Sequence, residues 1–327
     1  MSTSPIGPLP TELQTHPAYR RVFKPGQLTF GFIMPLEGYP NSPFPTLENH
    51  VRLARMADEA GFSALWMRDV PFYDPNFGDT GQMLDPMVYL GFLAAHTSKI
   101  ALGTAGIVLT LRDPLIVAKQ AVSVDQLLQG RLLLGLSTGD RAVEYPAFGL
   151  DYENRGERFR DAFGLIKAVT ETSFPQASTT HYGNLHGNID LIPKPVGARI
   201  PMIVVGRARQ DFSWIAQNSD AWMWHLSDLR RLPDMLQEWR DSHGGQWQWQ
   251  RPYGYGAFFD LAENPNAPLQ YVGNGMRAGR NALIGLLRHQ HAIGVSHVAF
   301  NLKALRRPAE DALAELAEFV LPEFPAE

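Results

Sequence analysis

The stretch from Lys99 to Asp140 constrains the fold more than any other part of the chain. An unbroken apolar run, Ile100 to Leu109, is rich in β-branched and small residues and reads as a strand buried on both faces. Asp113-Pro114 then opens a helix, with aspartate as N-cap and proline at the first helical position. Leu115, Val117, Ala118, Ala121, Val122, Val124 and Leu127 give that helix an apolar side, and Gly130 ends it. Arg131 leads at once into a second apolar run, Leu132 to Leu136. Strand, helix and strand with so short a return require parallel pairing. Both strands run into small or hydroxyl-bearing residues at their C-terminal ends, the side where parallel sheets hold ligands.

The rest of the chain repeats the alternation. Strands are expected at Leu28–Pro35, Ala64–Met67, Pro201–Val205, Ala221–His225, Tyr253–Leu261 and Val295–Asn301. Helical spacing starts at Thr46 and covers Met87–Thr97, Glu157–Thr170, Phe212–Gln217, Leu229–Arg240, Arg277–His291 and Ala309–Val320. About eight strands alternating with helices predict an α/β fold, a (β/α)8 TIM barrel. The other candidate, a doubly wound open sheet, would want a glycine-rich turn after the first strand, and Ile33 to Gly38 is not one. Residues 1–27, punctuated by Pro5, Pro8, Pro10, Pro17 and Pro25, read as an N-terminal arm on a single domain, 28–327. Ser173 to Pro195 is polar and broken by glycine and proline, an irregular excursion with room for a hairpin.

A chain of 327 residues with 45% apolar and 19% charged residues has material for one large core. Its net charge of -4 gives no reason to expect nucleic acid or an anionic membrane as partner. The absence of cysteine excludes disulfides, thiolate metal sites and cysteine nucleophiles. No apolar stretch reaches membrane-spanning length and the polar start does not read as a signal peptide, so the expectation is a cytoplasmic protein.

Gly103-Thr104-Ala105, Pro114, Asp125-Gln126, Gly130-Arg131 and the Gly135 to Gly139 turn, at these spacings, resemble the core of the bacterial luciferase-like flavin monooxygenase family. The likeness extends upstream to about Leu28 and more thinly to the C-terminus. It implies FMN as cofactor, reduced flavin supplied by a separate reductase, oxygen insertion into a small organic substrate, and a homodimer. F420-dependent dehydrogenases share the same motifs and make a deazaflavin the alternative. In the luciferases a catalytic histidine stands where this chain has Val70, so long-chain aldehyde oxidation and light emission are not expected, and a non-catalytic flavin-binding subunit is a further reading.

Gly206-Arg207-Ala208-Arg209-Gln210, between a strand and a helix, suits a phosphate through backbone N–H groups and arginine charge, although it also reads as a plain strand-to-helix turn. The resemblance carries Gly206, Arg207 and Ala208 over as phosphate contacts, and Arg155 with a one-residue shift. Thr104, Ala105 and Gly106 are small enough for a flat ring to approach the backbone, and the family implies a cis bond near Ala105-Gly106. Thr138 matches a family position near the phosphate or ribityl chain. Asp69 is a flavin neighbour or else half of a loop ion pair with Arg68. His225, at the mouth of the sixth strand, is a proton donor, a substrate anchor or a structural histidine. The aromatic loop from Phe72 to Asp79 reads as a lid or an interface, and its Tyr73 joins His225 and Asp69 as a candidate catalytic group. No histidines and carboxylates stand at metal spacing, so no metal is expected.

Overall fold

In the computed structural model, which describes residues 8–225, 228–244 and 250–325, eight parallel strands close on themselves. They are β1 (Thr29–Ile33), β2 (Ala64–Met67), β3 (Ala101–Thr104), β4 (Leu132–Ser137), β5 (Met202–Val205), β6 (Ala221–His225), β7 (Tyr253–Leu261) and β8 (His297–Asn301). Each pairs with its successor, and β8 returns to β1 in a register running from Thr29 opposite His297 to Ile33 opposite Asn301. Between them run α1 (His50–Glu59), α2 (Pro86–Ala94), α3 (Pro114–Leu127), α4 (Arg155–Glu171), α5 (Phe212–Asn218), α6 (Leu232–Asp241) and α7 (Arg280–Ala292), with α8 (Ala309–Glu315) after β8. This is the expected (β/α)8 TIM barrel.

Strand periodicity sorts the core into two layers. Phe32, Leu65, Leu102, Leu134, Val204 and Phe300 belong to the layer shared with the helices. Ile33, Ala64, Trp66, Ala101, Leu133, Ile203, Met223 and Ala299 fill the barrel interior. The interior is uneven in size for a reason. A Cβ on Gly103 would lie 2.5 Å from the Trp66 ring, and one on Gly135 would lie 1.8 Å from the Thr104 carbonyl oxygen. One tryptophan therefore occupies the volume that neighbouring glycines vacate. Two short helices, Thr11–Thr15 and Pro17–Val22, bury Leu13, Tyr19 and Val22 against this inner cluster. The Tyr19 hydroxyl donates to the Asp220 carbonyl at 2.7 Å, at the start of β6, so this segment covers the end of the barrel opposite the strands' C-termini. Pro5 lies outside the described residues.

Several boundaries depart from the sequence reading. The run Ile100 to Leu109 is not one strand: β3 ends at Thr104, and Ile107–Val108 pairs separately with β4 before a 3-10 turn over Leu109–Leu111. α1 begins at His50, not Thr46, because the Glu37 carboxylate accepts from the Thr46 N–H at 2.5 Å, its hydroxyl at 2.8 Å and the Leu47 N–H at 3.1 Å. The excursion does carry a hairpin, Gln176–Ser178 with Asn184–His186. A second hairpin, Gln270–Val272 with Gly275–Ala278, was not expected, and it delays α7 to Arg280. α8 stops at Glu315 and gives way to a wider π turn, Leu316–Val320. Among the described residues no helix is long and apolar enough to cross a membrane.

Candidate cofactor and substrate site

The strands' C-terminal residues and the loops that follow them enclose a cavity of about 1450 Å3. The inward positions nearest this end, Ile33, Ala105, Ser137, Val205, Met223, His225, Gly256, Phe258 and Asn301, form its floor. Its volume exceeds the roughly 300–1,000 Å3 usual for a single small ligand, so a cofactor and a substrate fit together.

Ala105 and Gly106 line the cavity, and the peptide between them is cis, at the position the family resemblance implied. Gly106 has a packing reason as well, since a Cβ there would meet Val205 at 2.9 Å and Gly135 at 3.0 Å. The ledge at Ala105 is open to the cavity. Thr104 is not: it is fully buried, its hydroxyl donating to the Gly135 carbonyl at 2.7 Å and accepting from the Gly135 N–H at 2.9 Å. Its side chain ties β3 to β4.

Gly206, Arg207 and Ala208 lie on the cavity wall beside Thr138 and Gly139. Gly206 (φ 69°), Ala208 (φ 44°) and Arg209 (φ 57°) are left-handed, a tight turn in a conformation that non-glycine residues rarely adopt. The N–H groups of Arg207, Ala208 and Arg209 donate to no other group among the described residues. The Arg207 guanidinium lies 3.8 Å over the Phe212 ring, without a carboxylate partner there. Donors of this kind fit a phosphate. The helix after the turn contributes less than its position suggested, because α5 is 7 residues long and the Asp211 carboxylate already accepts from the Trp214 N–H at 2.7 Å. Arg155 does not reach the cavity. Its guanidinium is stacked 3.3 Å over Tyr152 and donates to that residue's carbonyl at 2.5 Å.

Asp69 lines the cavity through its loop, but its carboxylate is committed elsewhere. Oδ1 and Oδ2 take the two donors of Arg112 at 2.7 and 2.9 Å, and Oδ2 also accepts from the Val108 N–H at 2.9 Å. The ion pair is thus with Arg112 and not Arg68. With its side chain 2% exposed, Asp69 anchors the segment beyond the cis bond and has no free oxygen for proton transfer.

Arg68 pairs with Asp79, which links four loops of the mouth. Tyr39 donates to its Oδ1 at 3.3 Å, Lys303 stands 3.6 Å from the same oxygen, and Arg141 donates to its carbonyl at 2.9 Å. Burial alone would raise the Asp79 pKa, but Arg68, Lys303 and the Gly81 N–H outweigh it and hold the carboxylate below its usual range. Lys303 also donates to the Gly78 carbonyl at 2.8 Å, and Arg141 lies 4.0 Å over Phe77. The loop from Phe72 to Asp79 is therefore latched across the mouth by residues after β1, β4 and β8. Of its aromatics Phe77 lines the cavity, whereas Tyr73 packs on Phe44 at 4.8 Å on the outer rim, outside the cavity wall.

His225 projects from the end of β6 with its ring edge-on to Phe258 at 5.1 Å. Its ring is exposed to the cavity, and the protein crowded around that cavity, and next the Arg68 charge, lower its pKa, with Asp79 and Asp140 opposing. Sequence reasoning missed Arg141, Phe258 and Lys303 and gave Arg68 and Asp79 no role in the mouth beyond a loop ion pair and the end of an aromatic loop, although the loop rule for barrels points to them.

The profile of the luciferase-like monooxygenase family matches residues 28–280. An uncharacterized protein of Mycobacterium tuberculosis is 28% identical over 187 residues, 52% of this chain and 65% of that one. The alkanal monooxygenase alpha chain of Photorhabdus laumondii is 25% identical over 191 residues, 58% of this chain and 52% of its own length. The chain thus spans between half and two-thirds of the length of these two relatives. Among solved structures, an F420-dependent secondary alcohol dehydrogenase with an F420-acetone adduct superposes with a TM-score of 0.74 at 14% identity, over 92% of this chain and 100% of the other. The oxygenating constituent of 3,6-diketocamphane monooxygenase of Pseudomonas putida, in complex with FMN, gives 0.71 at 12% identity, over 92% and 100%. At such identities the structural likeness establishes the fold alone. The family match covers most of the chain, and the protein belongs to the luciferase-like monooxygenase family.

Proposed function

We propose that the protein is a flavin-dependent monooxygenase that binds reduced FMN, delivered by a separate flavin reductase, and oxygenates a small organic substrate. The observation that carries this reading is the pairing of the unpartnered N–H groups of Arg207 and Ala208 with the open ledge at Ala105 on one cavity. Bound there, reduced flavin would supply electrons to O2 and one oxygen atom would pass to the substrate. The N–H groups of Arg207 and Ala208 and the Arg207 guanidinium would hold the phosphate, and Ala105 and Gly106 would carry the ring. Val70, Val205 and Met223 line the cavity with apolar surface that limits water near the ring. His225, its pKa held down by its surroundings, offers in its neutral form one ring nitrogen to accept a proton and the other to donate one.

An F420-dependent dehydrogenase is the second reading. The F420 and FMN proteins above superpose almost equally well, and the cavity is large enough for either cofactor. Mixing the protein with each reduced cofactor and following oxygen uptake against hydride transfer separates the two. Binding without turnover of either would leave a non-catalytic flavin-binding subunit, a role consistent with Val70.

The assembly proposed is a cytoplasmic homodimer. α2 supports the dimer, because it is apolar on both sides: Met87, Leu90 and Leu93 are buried, while Val88 and Phe92 are 71% and 44% exposed.

A further inference from the structure

Across the mouth from the Arg207–Arg209 turn, the loop after β8 brings a second set of cations to the same cavity. Arg306 and Arg307 line it, and both also line a smaller adjoining pocket with Arg277. Carboxylates are outnumbered here. Buried Asp260 faces two guanidiniums, Arg277 Nε at 3.2 Å and Arg306 Nε at 3.3 Å. Glu315 also faces two, Arg280 at 2.9 Å and Arg307 at 2.6 Å. Four arginines share two carboxylates, with Glu263 the remaining acid on the smaller pocket. Arg306 Nε stands 3.3 Å from Asp260, its guanidinium forms no hydrogen bond among the described residues, and its side chain is 57% exposed. In a chain of net charge -4 this local excess runs against the overall balance. Apolar surface adjoins it: Phe258, which meets His225 edge-on, and Leu305 line the cavity next to the arginines.

We propose that the substrate carries a carboxylate or similar oxyanion on an apolar body, and that Arg306 selects it by binding that group. This rests on the oxidoreductase reading above. The parallel N–H donors of a guanidinium match the two oxygens of a carboxylate. Phe258 and Leu305 cover the apolar body, which points the far end of the molecule toward His225 and the Ala105 ledge. The residue sets specificity and takes no part in the chemistry.

The test is calorimetric titration with 4-phenylbutyrate and its neutral amide, 4-phenylbutyramide, on wild type, Arg306→Gln and Arg306→Lys. Wild type should prefer the acid by about tenfold at low salt, with the ratio shrinking as KCl is added. Arg306→Gln should bring the ratio near one, and Arg306→Lys should keep most of it. A wild-type ratio near one, or a ratio that survives Arg306→Gln, overturns the proposal. FMN and F420 are titrated against the same variants, and their affinities should be unchanged. If Arg306→Gln weakens cofactor binding by a similar factor, the arginine belongs to the cofactor and the substrate assignment is overturned. If neither cofactor binds wild type, the oxidoreductase reading fails, while the acid-to-amide ratio still decides whether Arg306 selects an oxyanion.

Discussion

The indole N–H of Trp66 donates to Nε2 of His297 at 2.9 Å, in the sealed interior of the barrel. That bond makes Nε2 an acceptor, so the ring proton sits on Nδ1, 2.8 Å from the Thr29 hydroxyl, which in turn donates to the Val22 carbonyl at 2.6 Å. The chain of bonds joins β2, β8, β1 and the N-terminal segment, and it works only with a neutral imidazole.

Complete burial pushes the His297 pKa down to about 3, and burial next to Arg199 pushes His16 down to about 4. The folded values lie below the unfolded one, so the stability these groups contribute is present above pH ~6.5 and is lost as pH falls toward the folded values. Each depressed histidine then costs about 1.4 kcal/mol per pH unit over that window. Urea midpoints measured from pH 7.5 to 4.5 should fall from about pH 6.5 downward. His297→Gln should start lower, by about 1–3 kcal/mol, with a shallower pH slope.

Gly135→Ala should be among the most damaging single-methyl additions in the barrel. The added carbon would lie 1.8 Å from a backbone oxygen of β3 that cannot swing aside. A loss of about 3 kcal/mol or more in thermal or urea unfolding is expected.

How much of this was legible beforehand depends on the range of the contacts involved. The strand–helix–strand unit was readable because Asp113, Pro114 and the apolar spacing act within a few residues; Asp113 accepts from the Leu115 and Ile116 N–H groups at 2.8 and 3.1 Å. Tyr253–Leu261 was read to the residue for the same reason. The interruption after Thr104 was not, since nothing in an apolar run shows that Asp69, 39 residues away, claims the Val108 N–H. The commitment of Asp69 to Arg112 and the placement of Tyr73 against Phe44 are likewise tertiary facts. The short strands at 270–272 and 275–278 went unread because they are only three or four residues long and the second runs straight into a helix.

Asp79 should govern loop order more than cofactor affinity. Asp79→Asn removes the charge that faces Arg68 and Lys303. Amide hydrogen exchange in 72–80 should accelerate by about tenfold, with exchange in β5 and α5 unchanged.

Val88→Glu places a charge on the exposed side of α2. Light scattering on wild type should give twice the chain mass of 36.5 kDa, and the variant should run at the single-chain mass.

The central claim is that the turn at Gly206–Arg209 grips a phosphate while the ledge at Ala105 accepts a flat ring. Fluorescence titration of the protein with FMN and with riboflavin, which lacks the phosphate, tests it most directly. FMN should bind at least about tenfold tighter, a preference that Arg207→Ala reduces but does not erase, because the backbone N–H groups remain. Equal affinity for FMN and riboflavin would contradict the account.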